Sequence, residues 1–186
     1  MFVVLARYRG TQRRKADIIR DAATAFARMV PAENIEIVGV DEFQLHIAET
    51  DTAVAVCTAL LAPGDWAVAL SYNTSVEFCR KILGMRATPG TVKVRFQPDT
   101  ANWASDISAS FELLAFVLRK RTAEGREATA LVRSGMSQIE AAGELGISKQ
   151  AMSQRLQAAG WRAEQAGYGQ AVSLLRRAHV DLAGSY

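Results

Sequence analysis

A polar helical face near residue 150 has the side chains needed for hydrogen bonding to DNA bases. On a helix predicted over residues 148–159, Met152 and Leu156 lie four residues apart on one face, which leaves the opposite face polar. Amide, hydroxyl and ammonium groups are suitable donors and acceptors for base edges in the major groove, and glutamine can bind adenine through two hydrogen bonds. The residues expected to face bases are Lys149, Gln150, Ser153 and Gln154.

The twenty residues around this face have the pattern of a helix-turn-helix. Ser137 and Glu140 have the spacing of a capping box, in which each side chain bonds to the backbone N–H of the other residue. Gly146 can adopt the left-handed conformation that ends a helix, and Ser148 is a good N-cap for the next one. The second helix is therefore predicted to enter a major groove.

Phosphate contacts are expected from residues that flank the base-reading face. Ser137 and Gln138 begin the supporting helix, and Lys149 and Arg155 carry positive charge on the second helix. Ser148 completes the predicted interface with double-stranded DNA. A single helix-turn-helix usually needs a second copy to gain affinity, so we expect a homodimer. The alternative interpretation is an ordinary pair of packed helices joined by a glycine turn.

Charge and composition restrict the classes of function that this protein could have. Residues 1–118 hold 12 Lys/Arg against 13 Asp/Glu, whereas residues 119–186 hold 10 against 6, so the basic excess accompanies the predicted DNA-binding unit. No apolar run approaches the roughly 20 residues that cross a bilayer, and the amino-terminal segment does not have the pattern of a signal peptide. A cytoplasmic location, free of membrane, is therefore expected.

Nucleotide-binding glycine motifs and the G-x-S-x-G motif are absent. Cys57 and Cys79 lack metal-ligand spacing.

Hydrophobic periodicity predicts an α+β fold in which a ferredoxin-like antiparallel sheet, with helices on one face, precedes an all-α helix-turn-helix domain. The predicted division is a ferredoxin-like domain over 1–100, a linker helix over 101–121 and a DNA-binding domain over 122–186. Trp161 and Tyr168 are expected to flank a polar loop before a last helix over 170–182. Strands are predicted at 2–6, 35–40, 45–48, 66–72 and 91–96, and amino-terminal helices at 11–30, 52–61 and 76–83.

The predicted hairpin Gly39-Val40-Asp41-Glu42-Phe43-Gln44 resembles the GDEFQ signature of the SatD family. That resemblance covers most of the chain and implies an amino-terminal domain of this kind followed by a helix-turn-helix. The hairpin is also similar to that of nucleotide cyclases with a GGDEF-type fold. Two-metal chemistry in such cyclases needs a further carboxylate in the first strand. This chain has Arg7 and Arg9 there, so we expect no catalytic metal and no enzyme activity. Asp41 and Glu42 are then turn residues or form a salt bridge with one of these arginines.

The leading functional hypothesis is a sequence-specific DNA-binding protein, most simply a transcriptional regulator. It needs no cofactor, and an unidentified small-molecule effector is a further candidate partner. One alternative is a degenerate cyclase-like sensor that binds a nucleotide. The other is an adaptor in which the helix-turn-helix binds protein.

Overall fold

The computed structural model describes residues 1–99 and 101–184. Helices and a five-stranded mixed sheet confirm the predicted α+β class. The strands are β1 (Phe2–Tyr8), β2 (Ile35–Gly39), β3 (Glu42–Ile47), β4 (Trp66–Tyr72) and β5 (Thr91–Val94). The helices are α1 (Lys15–Phe26), α2 (Thr50–Leu61), α3 (Val76–Leu83), α4 (Trp103–Arg119), α5 (Ala123–Arg133), α6 (Gln138–Glu144), α7 (Lys149–Ala158) and α8 (Trp161–Ala183), and a short 3-10 turn spans Ala32–Asn34.

The sheet has the order β2-β3-β1-β4-β5, with β1 at its centre. β1 is antiparallel to both β3 and β4, and β2 is antiparallel to β3. β5 lies parallel to β4, so the prediction of a wholly antiparallel sheet was wrong. The physical reason is the connection: α3 crosses over between β4 and β5 and returns the chain in the direction in which β4 runs.

Helices cover both faces of the sheet, which corrects the expectation that they lie on one face. Phe2 and Val4 of β1 belong to a large core that also includes side chains from α1, α2, α4 and α8. Val3 and Leu5 point to the other face and join a smaller core with Cys79 of α3. Because successive side chains of a strand alternate between faces, a strand that is apolar at every position indicates a sheet that is covered on both sides.

α4, the predicted linker helix, packs directly on the sheet. Its residues Ile107, Phe111, Leu114 and Leu118 are all buried in the large core. Contacts of α4 with β5, and of α8 with α2, therefore cross the predicted divisions at residues 100 and 121. Residue 100, and residues 185 and 186 of the predicted carboxy-terminal domain, lie outside the described residues.

α8 is one continuous helix of 23 residues. The prediction of a polar loop between Trp161 and Tyr168, followed by a helix from Gln170, was therefore wrong. The helix packs along α4, and Gly167 lies so close to it that an added Cβ would stand 3.1 Å from Leu114 Cδ2. Within residues 1–99 and 101–184, no helix is both long and apolar enough to cross a membrane.

Candidate nucleic-acid interface

α6 begins with the predicted capping box. The Ser137 Oγ accepts a hydrogen bond from the Glu140 backbone N–H at 3.3 Å, and the Ser137 N–H donates to Glu140 Oε2 at 2.8 Å. Hydrogen bonds from the Ser137 backbone and side chain lower the pKa of the Glu140 carboxyl below its usual range. The helix start is thus fixed by two reciprocal bonds within four residues, as the sequence predicted.

The turn between α6 and α7 also has the predicted chemistry. Gly146 has a φ of 62°, in the left-handed region that favours glycine. Ile147 is partly buried against the small core that holds these helices together. Ser148 Oγ accepts from the Ala151 N–H at 3.1 Å and so caps α7. The direction of α7 relative to α6 therefore follows from three consecutive residues.

A small apolar core orients α7. Met152 and Leu156 are buried against Ala128 of α5 and Ala141 and Ala142 of α6. Alanine at the crossing positions lets the helix backbones approach closely, and the two longer side chains of α7 fill the remaining space. Burial of one stripe fixes which side of α7 faces solvent.

The outward side of α7 is polar along its whole length. Lys149, Gln150, Ser153 and Gln154 are all exposed, and Gln157 continues the same face. Except for Lys149, these side chains are uncharged, and together they offer both hydrogen-bond donors and acceptors. Such a surface is suited to reading base edges, because it can match a pattern of donors and acceptors instead of only attracting phosphate.

Comparisons of this chain with protein-family models, curated protein sequences and solved structures find no match. The resemblance to the SatD family therefore remains a prediction that depends on the hairpin motif and on the order of elements.

The predicted phosphate contacts have unequal surroundings. The backbone N–H of Ser137 is already bonded to Glu140, and that carboxylate adds negative charge at the start of α6. Gln138 is exposed next to Ser137, and its side-chain amide is not bonded to Glu140. Arg155 is only half-exposed, and its charge acts on Glu124 of α5, whose pKa is lowered first by hydrogen bonds to backbone and to the Thr122 hydroxyl and then by this arginine.

Several cations in the carboxy-terminal part are engaged in ion pairs away from α7. Arg121 and Arg133 both bind Glu164, and Arg176 binds Asp51 of α2. The basic excess counted along the sequence is therefore not concentrated on the face of α7. On that face the positive charge comes from Lys149.

At the β2–β3 hairpin, Glu42 forms the salt bridge to Arg7 that was one of the two predicted alternatives. Arg7 of β1 lies opposite Glu42 of β3, and Arg7 Nε donates to Glu42 Oε1 at 2.5 Å. Arg80 of α3 binds the other carboxylate oxygen at 2.8 Å and the Val38 carbonyl at 2.8 Å. β3 begins at Glu42, so the predicted turn over residues 41–44 is shorter than expected. Asp41 remains in the turn, and its Oδ2 lies 3.7 Å from Lys15 Nζ.

This arrangement leaves Glu42 occupied at both oxygens by guanidinium groups. A cation at this carboxylate would have to displace Arg7 or Arg80. Among residues 1–99 and 101–184, no cluster of three or more His, Cys, Asp or Glu side chains has the geometry to hold a metal ion. The hairpin therefore has a structural ion-pair network at the position where the cyclase comparison would expect metal ligands.

Two features were not predicted from the sequence. Arg80 reaches Glu42 from 38 residues away, and no local pattern indicates that contact. Ile139, the second residue of α6, is 64 % exposed although helical periodicity usually buries isoleucine. It lies next to Gln138 and adds an apolar contact surface to the candidate interface.

Proposed function

We propose that this protein is a sequence-specific DNA-binding protein that acts as a transcriptional regulator and reads the major groove with α7. The observation that carries the proposal is the exposed face of Lys149, Gln150, Ser153 and Gln154, opposite the buried stripe of Met152 and Leu156. A helix held by one packed side presents the other side in a fixed orientation, as base recognition requires.

The arrangement of short helices supports this proposal. α5 packs against both α6 and α7, and α6 packs against α7. In this three-helix unit α6 would cross the DNA backbone while α7 enters the groove. Gln138 and Lys149 are then the main phosphate contacts, because both side chains are exposed and near helix starts. The proposal includes the cytoplasmic location expected from the sequence.

We infer a ferredoxin-like arrangement for the amino-terminal part. β4, β1, β3 and β2 form consecutive antiparallel neighbours, which is the order that two βαβ halves produce in that fold, and β5 adds a parallel edge strand. Such a domain could support the homodimer that two DNA half-sites require. The nucleotide-sensor alternative draws less support, because Arg7 and Arg80 already bind the hairpin carboxylate.

The test begins with selection of bound duplexes from a randomised DNA pool, followed by fluorescence anisotropy at several salt concentrations. We expect enrichment of a defined motif and an affinity that falls with salt, because each bound cation releases counterions from phosphate. Absence of enrichment, with equal affinity for all duplexes, would contradict sequence-specific binding.

Two substitutions distinguish base contacts from phosphate contacts. Gln150→Ala should cost about 1–3 kcal/mol at one base pair and relax preference there, whereas Lys149→Gln should weaken all sequences alike and lower the salt slope by about one. Gln170→Ala, at an exposed position of α8, is the matched control and should change neither quantity. A uniform loss with Gln150→Ala would assign that residue to the backbone instead.

A further inference from the structure

A cleft of about 530 Å³ lies between α2 and the first half of α8. Its size is within the range of roughly 300–1,000 Å³ that is typical of small-molecule sites. It is separate from the outward face of α7, and its walls come from both the α/β part and the three-helix unit. The residues that matter for its chemistry are Met29, Ala59, Arg133, Trp161, Glu164 and Tyr168.

The floor and sides of the cleft are mainly apolar. The floor is the α2 side of the cleft, where Ala55, Thr58 and Ala59, and Ala62 just after the helix, contribute only small side chains. Met29 also lines the cleft, and α8 contributes Trp161 and Tyr168. A floor rich in alanine, with a flexible thioether and two aromatic rings in the same lining, fits an aromatic or aliphatic body.

Around Glu164 positive charge is in excess, because buried Arg121 lies behind the lining residues Arg133 and Glu164. Glu164 is buried, with one carboxylate oxygen 2.5 Å from Arg121 Nη2 and the other 2.6 Å from Arg133 Nη2. Two guanidinium groups thus share one carboxylate. Arg121 is 3 % exposed at its side chain, whereas Arg133 is 49 % exposed and lies over the Trp161 ring. Arg133 has five N–H donors, and Glu164 accepts from one nitrogen.

We propose that this cleft binds a small monocarboxylate with an aromatic or aliphatic body. The ligand carboxylate binds the exposed donors of Arg133 and balances the second guanidinium charge. Its apolar body covers the alanine-rich floor and contacts Met29 and Trp161. A cationic ligand is repelled by the excess positive charge around Glu164, and a neutral analogue loses the charge-assisted hydrogen bonds.

The inference goes beyond DNA binding and does not depend on it. Ligand binding is read directly, by isothermal titration calorimetry and by two-dimensional NMR of the full chain, without any duplex present. The probes are indole-3-acetate and 4-phenylbutyrate, each compared with its own primary amide. The acid should bind at least about tenfold more tightly than the amide, which corresponds to about 1.4 kcal/mol.

Two substitutions locate the site. Arg133→Gln should lower affinity for the acid by at least about tenfold and leave affinity for the amide nearly unchanged. Ala59→Leu fills the floor at an exposed helical position without touching the ion pairs, so it should reduce binding of acid and amide together. Ala109→Leu makes the same change at an exposed position of α4 and is the matched control.

The outcomes are distinct. Shifts of the Trp161 indole resonance by the acids, lost with Ala59→Leu and retained with Ala109→Leu, support the proposal. Equal affinity for acid and amide, no binding by either acid, or unchanged binding after Ala59→Leu would overturn it. Thermal melts show whether each variant is folded. If Arg133→Gln does not fold, Ala59→Leu still tests the site.

Discussion

Replacing Glu164 by leucine should be among the most destabilising single changes that leave the apolar cores intact. The Glu164 side chain is 5 % exposed and neutralises Arg121, which is 3 % exposed and also donates from Nε to the Ala159 carbonyl at 2.8 Å. Leucine would leave the Arg121 charge buried without a counterion, a change that costs about 3–5 kcal/mol. Loss of the bond to half-exposed Arg133 adds at most about 1 kcal/mol.

Urea denaturation followed by circular dichroism measures this cost. The urea concentration at the midpoint of unfolding should fall. The slope of the unfolding free energy against urea concentration should stay unchanged, because unfolding exposes the same surface area. For a chain of this length the melting temperature should drop by roughly 6–20 °C. Arg133→Met is the control for an exposed partner of the same carboxylate, and its cost should be below about 1 kcal/mol.

A double-mutant cycle measures the energetic coupling between Arg121 and Glu164. Arg121→Met leaves Glu164 with its exposed partner Arg133, so we expect a smaller loss than for Glu164→Leu, about 2–3 kcal/mol. The double variant removes both buried charges and replaces them by apolar groups, so its loss should be below that of Glu164→Leu alone. If the two single losses simply add, or if Glu164→Leu costs less than about 1 kcal/mol, the buried pair does not have the energetic role assigned to it.

Three further changes test the hairpin, the helix junction and the cap. Glu42→Gln should lower the unfolding free energy by about 2–3 kcal/mol because it leaves Arg7 and Arg80 without a charged partner, whereas Asp41→Asn, at a side chain 25 % exposed in the turn, should cost less than about 1 kcal/mol in urea titrations. Gly160→Ala should cost at least about 1–2 kcal/mol, since its φ is 66° and its Cβ would stand 2.9 Å from a valine methyl of α4; Gly143→Ala, which meets nothing within 4 Å in α6, should instead stabilise by about 0.5–1 kcal/mol. The lowered pKa of Glu140 means that its capping contribution is present above the unfolded pKa near 4.5 and is lost as pH falls through the lower folded value, so the stability difference between wild type and Glu140→Ala should shrink in that window.

Features that depend on neighbouring residues could be predicted from the sequence. The capping box of Ser137 and Glu140, the left-handed Gly146 and the N-cap Ser148 each involve groups at most four residues apart. Their hydrogen bonds are closed within one turn of chain, so residue type and spacing determine them. The buried stripe of α7 follows from periodicity in the same way, which is why its exposed face was predictable too.

The continuous α8 could not be predicted because its glycines have a tertiary reason. Gly167 and Gly169 lower the local helix propensity, which favoured a loop near Tyr168. In the structure Gly167 faces Leu114 of α4 at a distance that a larger residue would disturb. The packing of α4 along α8 therefore outweighs local propensity, and that contact joins residues more than 50 positions apart.

Strand direction and the second partner of Glu42 were also beyond local patterns. β5 has the alternation of an exposed edge strand, with Val92 and Val94 buried and Lys93 exposed, and this alternation is the same for parallel and antiparallel neighbours. Arg80 reaches Glu42 only because α3 covers the second face of the sheet. Because helices were expected on only one face of the sheet, the sequence did not predict an arginine that reaches Glu42 from the other face.

The joint between the sheet-packed helices and the three-helix unit lies at Arg121. This residue follows α4, and its backbone N–H donates to the Leu118 carbonyl. Its side chain binds Ala159 at the end of α7 and Glu164 in the first turn of α8. One buried side chain thus connects the ends of three helices, and the connection from α4 to α5 spans only residues 120–122. This ion pair and the packing of α8 along α4 together hold the three-helix unit against the sheet-packed helices.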